Sequence, residues 1–211
     1  MSIINDKIWD CMYIFSKSIN TSDKDEYLSF VYFMNVLSEI YPDAKVRSDL
    51  IEFFSQEVIP DFKCKNDLLT EYVFKLNYII NMDRRLKLLD LKTVKAKYEN
   101  IDKTVWSEAV WYLLHFISCN LKSSNLKSEL DTFKAFLMCV RYLIPCKTCK
   151  THMNTYIKTH VLTAPIWIWV YDYHKDVDKF SPNGKNSIKI SKEQLYSEYK
   201  IQEEQTLFLD N

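Results

Sequence analysis

Apolar residues recur every three or four positions along most of the chain, which is the spacing of a helix that buries one face. In the first segment, Ile8, Met12, Phe15 and Ile19 follow this spacing. The pattern predicts helices over residues 4–19, 24–40, 43–57, 66 to beyond 82, 104–121, 127–143, 145–160 and 165–179, with a short last helix after Ser191. We therefore expect an all-α protein.

Helix start signals support these boundaries. Thr21-Ser22-Asp23 and Asn66-Asp67 are N-cap candidates, and Ser191-Lys192-Glu193-Gln194 has the form of a cap for the last helix. Pro42 ends one helix and opens the next. The charged segment 83–103 is the expected connector, itself expected to be partly helical. It divides the chain into predicted domains at 1–92 and 93–211.

The two halves can be overlaid at a nearly constant offset. The tryptophan and proline are kept, since Trp9 falls on Trp111 and Pro42 on Pro145. The residues with chemistry are not: Tyr13 falls on His115, Asp43 on Cys146, Val46 on Cys149, Asp49 on His152, and Asn77 and Asn81 near His174 and Asp178. All four histidines lie in the second half. The overlay predicts a duplication whose first copy lost its chemistry and kept its bundle. The alternative is that any two four-helix units align comparably.

Composition excludes several classes of function. Gly184 is the only glycine, so neither a Gly-rich dinucleotide fingerprint nor a P-loop can be present. Lys+Arg and Asp+Glu both number 28, so net charge does not indicate nucleic acid or an anionic membrane as a partner. No apolar run is long enough to span a bilayer, and the first residues do not resemble a signal peptide. We expect a protein that is not secreted.

The segment with the clearest chemistry is Pro145-Cys146-Lys147-Thr148-Cys149-Lys150-Thr151-His152. We expect Pro145 to open a helix whose N-terminus stabilises a thiolate, since free N–H groups and the helix dipole favour negative charge. A zinc site would need a fourth ligand beside Cys146, Cys149 and His152, a thioredoxin-like site would need a preceding strand, and an inert buried pair remains open.

The other cysteines do not form a second CxxC. Cys11, Cys119 and Cys139 have the pattern of small buried hydrophobes, and only Cys64, in a polar loop, is a candidate for exchange.

Three motifs occur in order: Trp111-x-x-Leu114-His115, then Pro145-Cys146-x-x-Cys149-x-x-His152, then Trp169-x4-His174-x-x-Val177-Asp178. Together, over about residues 104–185, they resemble the Erv/ALR family of FAD-dependent sulfhydryl oxidases. The duplicated arrangement is similar to the sulfhydryl oxidases of baculoviruses and related large DNA viruses. This resemblance implies a four-helix bundle with a short fifth helix that binds FAD, preceded by a degenerate helical-bundle pseudo-domain.

The resemblance also implies residue roles. Cys149 would face the flavin, and Cys146 would be the sulfur attacked by incoming thiols, with electrons passing through FAD to O2 to give hydrogen peroxide. The implied cofactor-binding residues are Trp111, His115, Cys149, His152, Trp169, His174, Val177, Asp178, Lys179 and Lys185. No metal is implied. The implied partners are dithiol proteins, with viral structural proteins as candidates, and a second copy in a homodimer. The implied location is the cytoplasm or nucleus of an infected cell, or the virion.

The chain departs from the family pattern in places. Ser107-Glu108 stand where Gly-Arg is usual, Lys175 and Asp178 replace two asparagines, and no cysteine follows Cys149. A different class of function therefore stays open: a non-catalytic helical interaction protein whose CxxC is vestigial or binds a metal.

Overall fold

The computed structural model describes residues 4–82, 89–121, 127–180 and 187–201. These residues form helices and connecting segments, with no strand among them. The helices are α1 (Asp6–Ser18), α2 (Lys24–Ile40), α3 (Ala44–Gln56), α4 (Asn66–Met82), α5 (Leu91–Lys97), α6 (Lys103–Cys119), α7 (Lys127–Leu143), α8 (Lys147–Thr159), α9 (Ile166–Phe180) and α10 (Lys192–Tyr199). The predicted all-α class is confirmed.

Local capping explains where several helices begin. The Asp23 side chain accepts hydrogen bonds from the backbone N–H groups of Asp25 and Glu26, so α2 begins at Lys24 as predicted. At α10, Ser191 and Gln194 form a reciprocal capping box. Both caps satisfy N–H groups that a helix leaves without partners in its first turn.

The start of α8 corrects one prediction. Pro145 was expected to open this helix, but Cys146 is its N-cap, in an extended conformation, and the helix begins at Lys147. The reason is that the Cys146 sulfur accepts the N–H of Cys149 at 3.3 Å, which is the role of a capping side chain. Pro145 therefore lies outside the helix, where its missing N–H costs no hydrogen bond.

The connector is partly helical, as expected. Asp90 caps α5 by accepting the N–H of Thr93, and Tyr98 ends it. At the other end of the chain, Pro165 directly precedes α9, after a cis Ala164–Pro165 peptide bond.

Helices pack in the same pairs in the two halves of the chain. α1 packs on α4 and α2 on α3, while α6 packs on α9 and α7 on α8. Between the halves, α1 packs on α6 and α2 on α7, so each half presents the same two helices to the other. One buried apolar cluster includes residues of both halves, and the Phe33 and Phe136 rings stack across it with centroids 5.9 Å apart. The boundary between residues 92 and 93 stays a prediction.

Ion pairs also join the halves near the ends of these helices. Lys7 pairs with Glu108 at 2.7 Å, and Lys150 of α8 pairs with Glu26 of α2. The second pair ties the helix that carries the CxxC to the N-terminal half. None of the described helices is long and apolar enough to cross a membrane.

Candidate dithiol and cofactor site

The N-terminus of α8 presents the two sulfurs of the CxxC. Cys146 and Cys149 form a disulfide, and both residues are half-buried at the edge of the apolar core. Because Cys146 is the N-cap and Cys149 lies in the first turn, both sulfurs lie where helix N–H groups and the dipole stabilise negative charge. A thiolate released from this disulfide is therefore favoured.

Three motif residues from α6 and α9 form a compact ring cluster. The Trp111 and His174 rings stack with centroids 3.6 Å apart and planes 6° apart. Nε2 of His115 lies 2.9 Å from Nδ1 of His174, and the His115 ring is also 5.9 Å from that of Trp111. The structure thus brings His174 together with Trp111 and His115, although His174 lies 59 residues after His115 in the sequence.

His115 is the most deeply buried member of this cluster. It is 1% exposed, and burial lowers the pKa of its imidazole from 6.5 to about 3, so the ring is neutral at physiological pH. Its Nδ1 is buried and has no hydrogen-bond partner among the described residues. An unpaired buried nitrogen costs stability unless a ligand supplies the missing partner.

Tyr173 connects this cluster to α8. Its ring lies 5.3 Å from Trp111, 6.0 Å from His152 and 4.8 Å from Tyr156, centroid to centroid. Trp169 packs at the far side, 5.2 Å from Tyr156. The row of rings from Trp111 through Tyr173 to His152 and Tyr156 thus reaches α8, the helix that carries the disulfide. Cys149 and Tyr156 are about two turns apart on one face of that helix.

The last predicted positions lie around the C-terminal end of α9. Val177 is half-buried against the core, and a carboxylate oxygen of Asp178 accepts the N–H of Ile188 at 3.0 Å. Lys179 is exposed and pairs with Asp176 at 2.9 Å. Lys185 lies outside the described residues. These positions follow the ring cluster along α9 rather than forming part of it.

Residues 108–196 match the family model described as Erv1 / Alr family. This region is therefore similar to the Erv1/Alr family. Members of that family are generally FAD-linked sulfhydryl oxidases. Neither the curated proteins nor the solved structures give a match to the chain.

The residues of the matched region fit a flavin by their chemistry. The site offers planar rings for stacking and one buried nitrogen, His115 Nδ1, with unused hydrogen-bonding capacity. Tyr173 connects this cluster to α8, the helix that carries a disulfide that can exchange with thiols. A buried polar atom without a partner is a feature that a bound ligand would explain, and His115 Nδ1 is such an atom among the clustered rings.

Several residues at the site were missed by the sequence motifs. Tyr173 is the centre of the ring row, and Tyr199 of α10 lies 5.3 Å from the His115 ring. Asn120 holds Tyr199 in place, because its side-chain amide donates to the Tyr199 carbonyl at 2.6 Å and accepts from Ile201 at 2.7 Å. Tyr173 directly precedes the motif residue His174, which was a usable signal; nothing in the sequence marked Asn120 or Tyr199.

The remaining cysteines behave as expected. Cys11, Cys119 and Cys139 are buried, and burial raises the pKa of each thiol, to about 11 for Cys139. Cys64 is half-buried, and burial raises its thiol pKa as well. Thiols held protonated are poor nucleophiles, which favours the CxxC over these four cysteines as the pair that exchanges.

His160 belongs to none of the three motifs, but its ring also contacts the row of rings through Tyr156. It is exposed, at the end of α8, and stacks on Tyr156 with centroids 4.0 Å apart. Together with Tyr156 and Trp169 it lines a cavity of about 260 Å³.

Proposed function

We propose that this protein is a thiol oxidase that uses FAD to form disulfides in dithiol proteins and passes the electrons to O2. The observation that carries the proposal is the CxxC disulfide at the N-terminus of α8, a helix that a row of rings connects to a buried imidazole nitrogen without a partner among the described residues. The Erv1/Alr match of residues 108–196 supports the same conclusion independently.

The exchange step follows from the position of the two sulfurs. A thiolate of the substrate attacks the Cys146 sulfur, the Cys146–Cys149 bond breaks, and Cys149 leaves with the electron pair as a thiolate. The second thiol of the substrate, as a thiolate, then attacks the substrate sulfur bound to Cys146, which forms the substrate disulfide and releases Cys146. The N-terminus of α8 stabilises the departing Cys149 thiolate.

The cofactor would be held by the rings of Trp111, His115 and His174, with Val177 and the residues after it extending the surface. When bound, FAD supplies the two-electron acceptor that dithiol oxidation requires and the route from it to O2. His115 is neutral because of its burial, so its Nδ1 can offer a hydrogen bond without adding a charge to the site.

We further propose that the N-terminal half is a degenerate copy of the Erv1/Alr domain. Tyr13 of α1 interacts with Asn77 of α4 and stacks on Tyr98 with ring centroids 5.0 Å apart. In the second half, the equivalent residue His115 of α6 is hydrogen-bonded to His174 of α9, and its ring lies 5.3 Å from that of Tyr199, centroid to centroid. The shared scaffold supports duplication, and the absence of a CxxC between residues 1 and 92 supports loss of the chemistry.

The finer predictions about partners rest on the viral resemblance. We propose dithiol proteins of a viral particle as clients, a homodimer as the assembled form, and the infected cell as the location. Two equivalent helices of each half already pack against one another, so a dimer would use a different surface.

The visible spectrum of the purified protein and its oxygen uptake with dithiothreitol test the proposed function. We expect flavin absorption and thiol-dependent oxygen uptake, with uptake falling to background in Cys149→Ala. Cys139→Ala is the matched control, because this buried cysteine lies outside the site and its loss should leave uptake unchanged. A colourless protein that stays inactive after incubation with FAD would instead favour the non-catalytic interaction protein.

A further inference from the structure

His152 and Asp176 form a hydrogen-bonded pair between α8 and α9. Nε2 of His152 lies 3.0 Å from one carboxylate oxygen of Asp176, and the other oxygen accepts from Lys179 at 2.9 Å. The Lys179 hydrogen bond, followed by the His152 hydrogen bond, lowers the pKa of the Asp176 carboxyl. The carboxylate is therefore ionised at physiological pH.

The ionised carboxylate fixes the tautomer of the histidine. A carboxylate can only accept hydrogen bonds, so Nε2 of His152 must carry the proton and donate it to Asp176. In the neutral ring, Nδ1 then carries the lone pair. Nδ1 of His152 makes no hydrogen bond within the described part of the chain, whereas Nε2 is used by Asp176. The ring is thus oriented as a base.

The dithiol lies beside this base. His152 follows Cys149 by three residues on α8, and side chains at this spacing are neighbours on the helix surface. Both residues are half-buried, so proton transfer between them is partly shielded from water. A thiol, an imidazole and a carboxylate in this order have the roles of a nucleophile, its base and the group that orients the base.

We propose that His152 accepts the thiol proton of Cys149 and that Asp176 positions His152 for this transfer. The inference rests on the proposed thiol oxidase function and adds a proton path to it. The S–H bond of Cys149 breaks, the electron pair stays on sulfur, and the proton moves to Nδ1 of His152. The imidazolium that this transfer forms lies next to the new Cys149 thiolate and stabilises it.

Other charged groups near the pair are already engaged. Lys150 pairs with Glu26 of α2, and Arg141 of α7 is hydrogen-bonded to Asn154. Asp172, one turn before Asp176 on α9, pairs with Lys192 at 2.7 Å. The buried His115 and His174 bond to each other. Tyr173, which faces His152, has its pKa raised by burial and stays protonated.

The test is the pH dependence of Cys149 alkylation by iodoacetamide in the phosphine-reduced protein, measured by mass spectrometry on peptides that separate Cys149 from Cys146. We expect Asp176→Asn to slow alkylation near neutral pH by about tenfold and to move the profile to higher pH, because the thiolate fraction changes tenfold per pKa unit. His152→Gln should give the same loss. The double variant should lose no more than His152→Gln alone, since the two residues act in one path.

Asp172→Asn is the matched control. It removes the same charge from the same helix one turn away, without touching His152, and should keep the wild-type profile. Equal profiles for wild type, Asp172→Asn and Asp176→Asn would overturn the inference, as would equal losses in both aspartate variants. Circular dichroism checks that each variant is folded.

The labelling result does not depend on flavin or oxygen. A protein that shows the Asp176 effect on labelling but no thiol-dependent oxygen uptake would refute the proposed oxidase and leave the proton path intact. A protein that oxidises thiols with unaltered labelling in Asp176→Asn would retain the oxidase and refute the proton path.

Discussion

Replacing His115 by glutamine should remove part of the acid sensitivity of the folded protein. The folded state holds the His115 pKa at about 3 by burial, against an ordinary value of 6.5. As the pH falls below 6.5, the unfolded chain binds a proton at this position and the folded protein does not. The stability that the neutral ring contributes is therefore complete above about 6.5 and is lost progressively as the pH falls toward 3.

The size of this effect follows from the pKa difference. At about pH 5, the histidine is protonated in the unfolded chain and neutral in the folded protein. Between about pH 6.5 and pH 5, this difference lowers the free energy of unfolding by about 1.4 kcal/mol per pH unit, or about 2 kcal/mol in all. Because His115 is 1% exposed, solvent screening does little to reduce this cost. Glutamine does not titrate. Between about pH 7.5 and pH 5, the free energy of unfolding of His115→Gln should therefore fall by about 2 kcal/mol less than that of the wild type.

Urea denaturation followed by far-ultraviolet circular dichroism, at both pH values and in samples matched for flavin content, measures this difference. His160→Gln is the control, because this exposed histidine should leave the wild-type pH dependence unchanged. Stability that declines in parallel for wild type and His115→Gln would refute the reasoning. It would mean that His115 is protonated in the folded protein or that another group dominates acid unfolding.

Two further substitutions test the packing around the site. Phe136→Ala should destabilise the protein by about 3–5 kcal/mol in urea denaturation, because the Phe136 ring is fully buried and stacks on Phe33 between the two halves. A loss of stability under about 1 kcal/mol would show that the packing of the halves does not depend on this contact. Asn120→Ala should cost about 1–3 kcal/mol and speed amide hydrogen exchange in α10, since it leaves the Tyr199 carbonyl and the Ile201 N–H without their partner. Unchanged exchange in α10 would contradict this role.

The helices were predictable because their signals are local. The predicted bounds of the second helix and of the helix over 127–143 match α2 and α7, where Asp23 caps one and the apolar period defines the other. The start of α8 was misplaced because proline favours a first helical turn in general. The helix begins after Cys146 because the Cys146 sulfur accepts the N–H of Cys149, a contact that the sequence pattern did not show.

The candidate site was predicted in part. The motifs identified the CxxC and the residues Trp111, His115 and His174, which the fold brings into contact. Tyr199 belongs to no motif, and its place beside His115 depends on how α10 returns to α6. The Asp176–His152 bond likewise joins two helices whose relative rotation no local pattern specifies.

The sequence alone therefore determined the all-α class, most helix bounds, the reactive pair of cysteines and the types of ring around them, because periodicity, capping and short motifs act within a few turns of chain. The tertiary structure decided which rings touch, which histidine nitrogen is left without a partner, which carboxylate orients His152, and that the two halves share one buried core. These properties depend on the packing of side chains that are distant in sequence, and burial sets the pKa of His115 only after that packing has removed water from it.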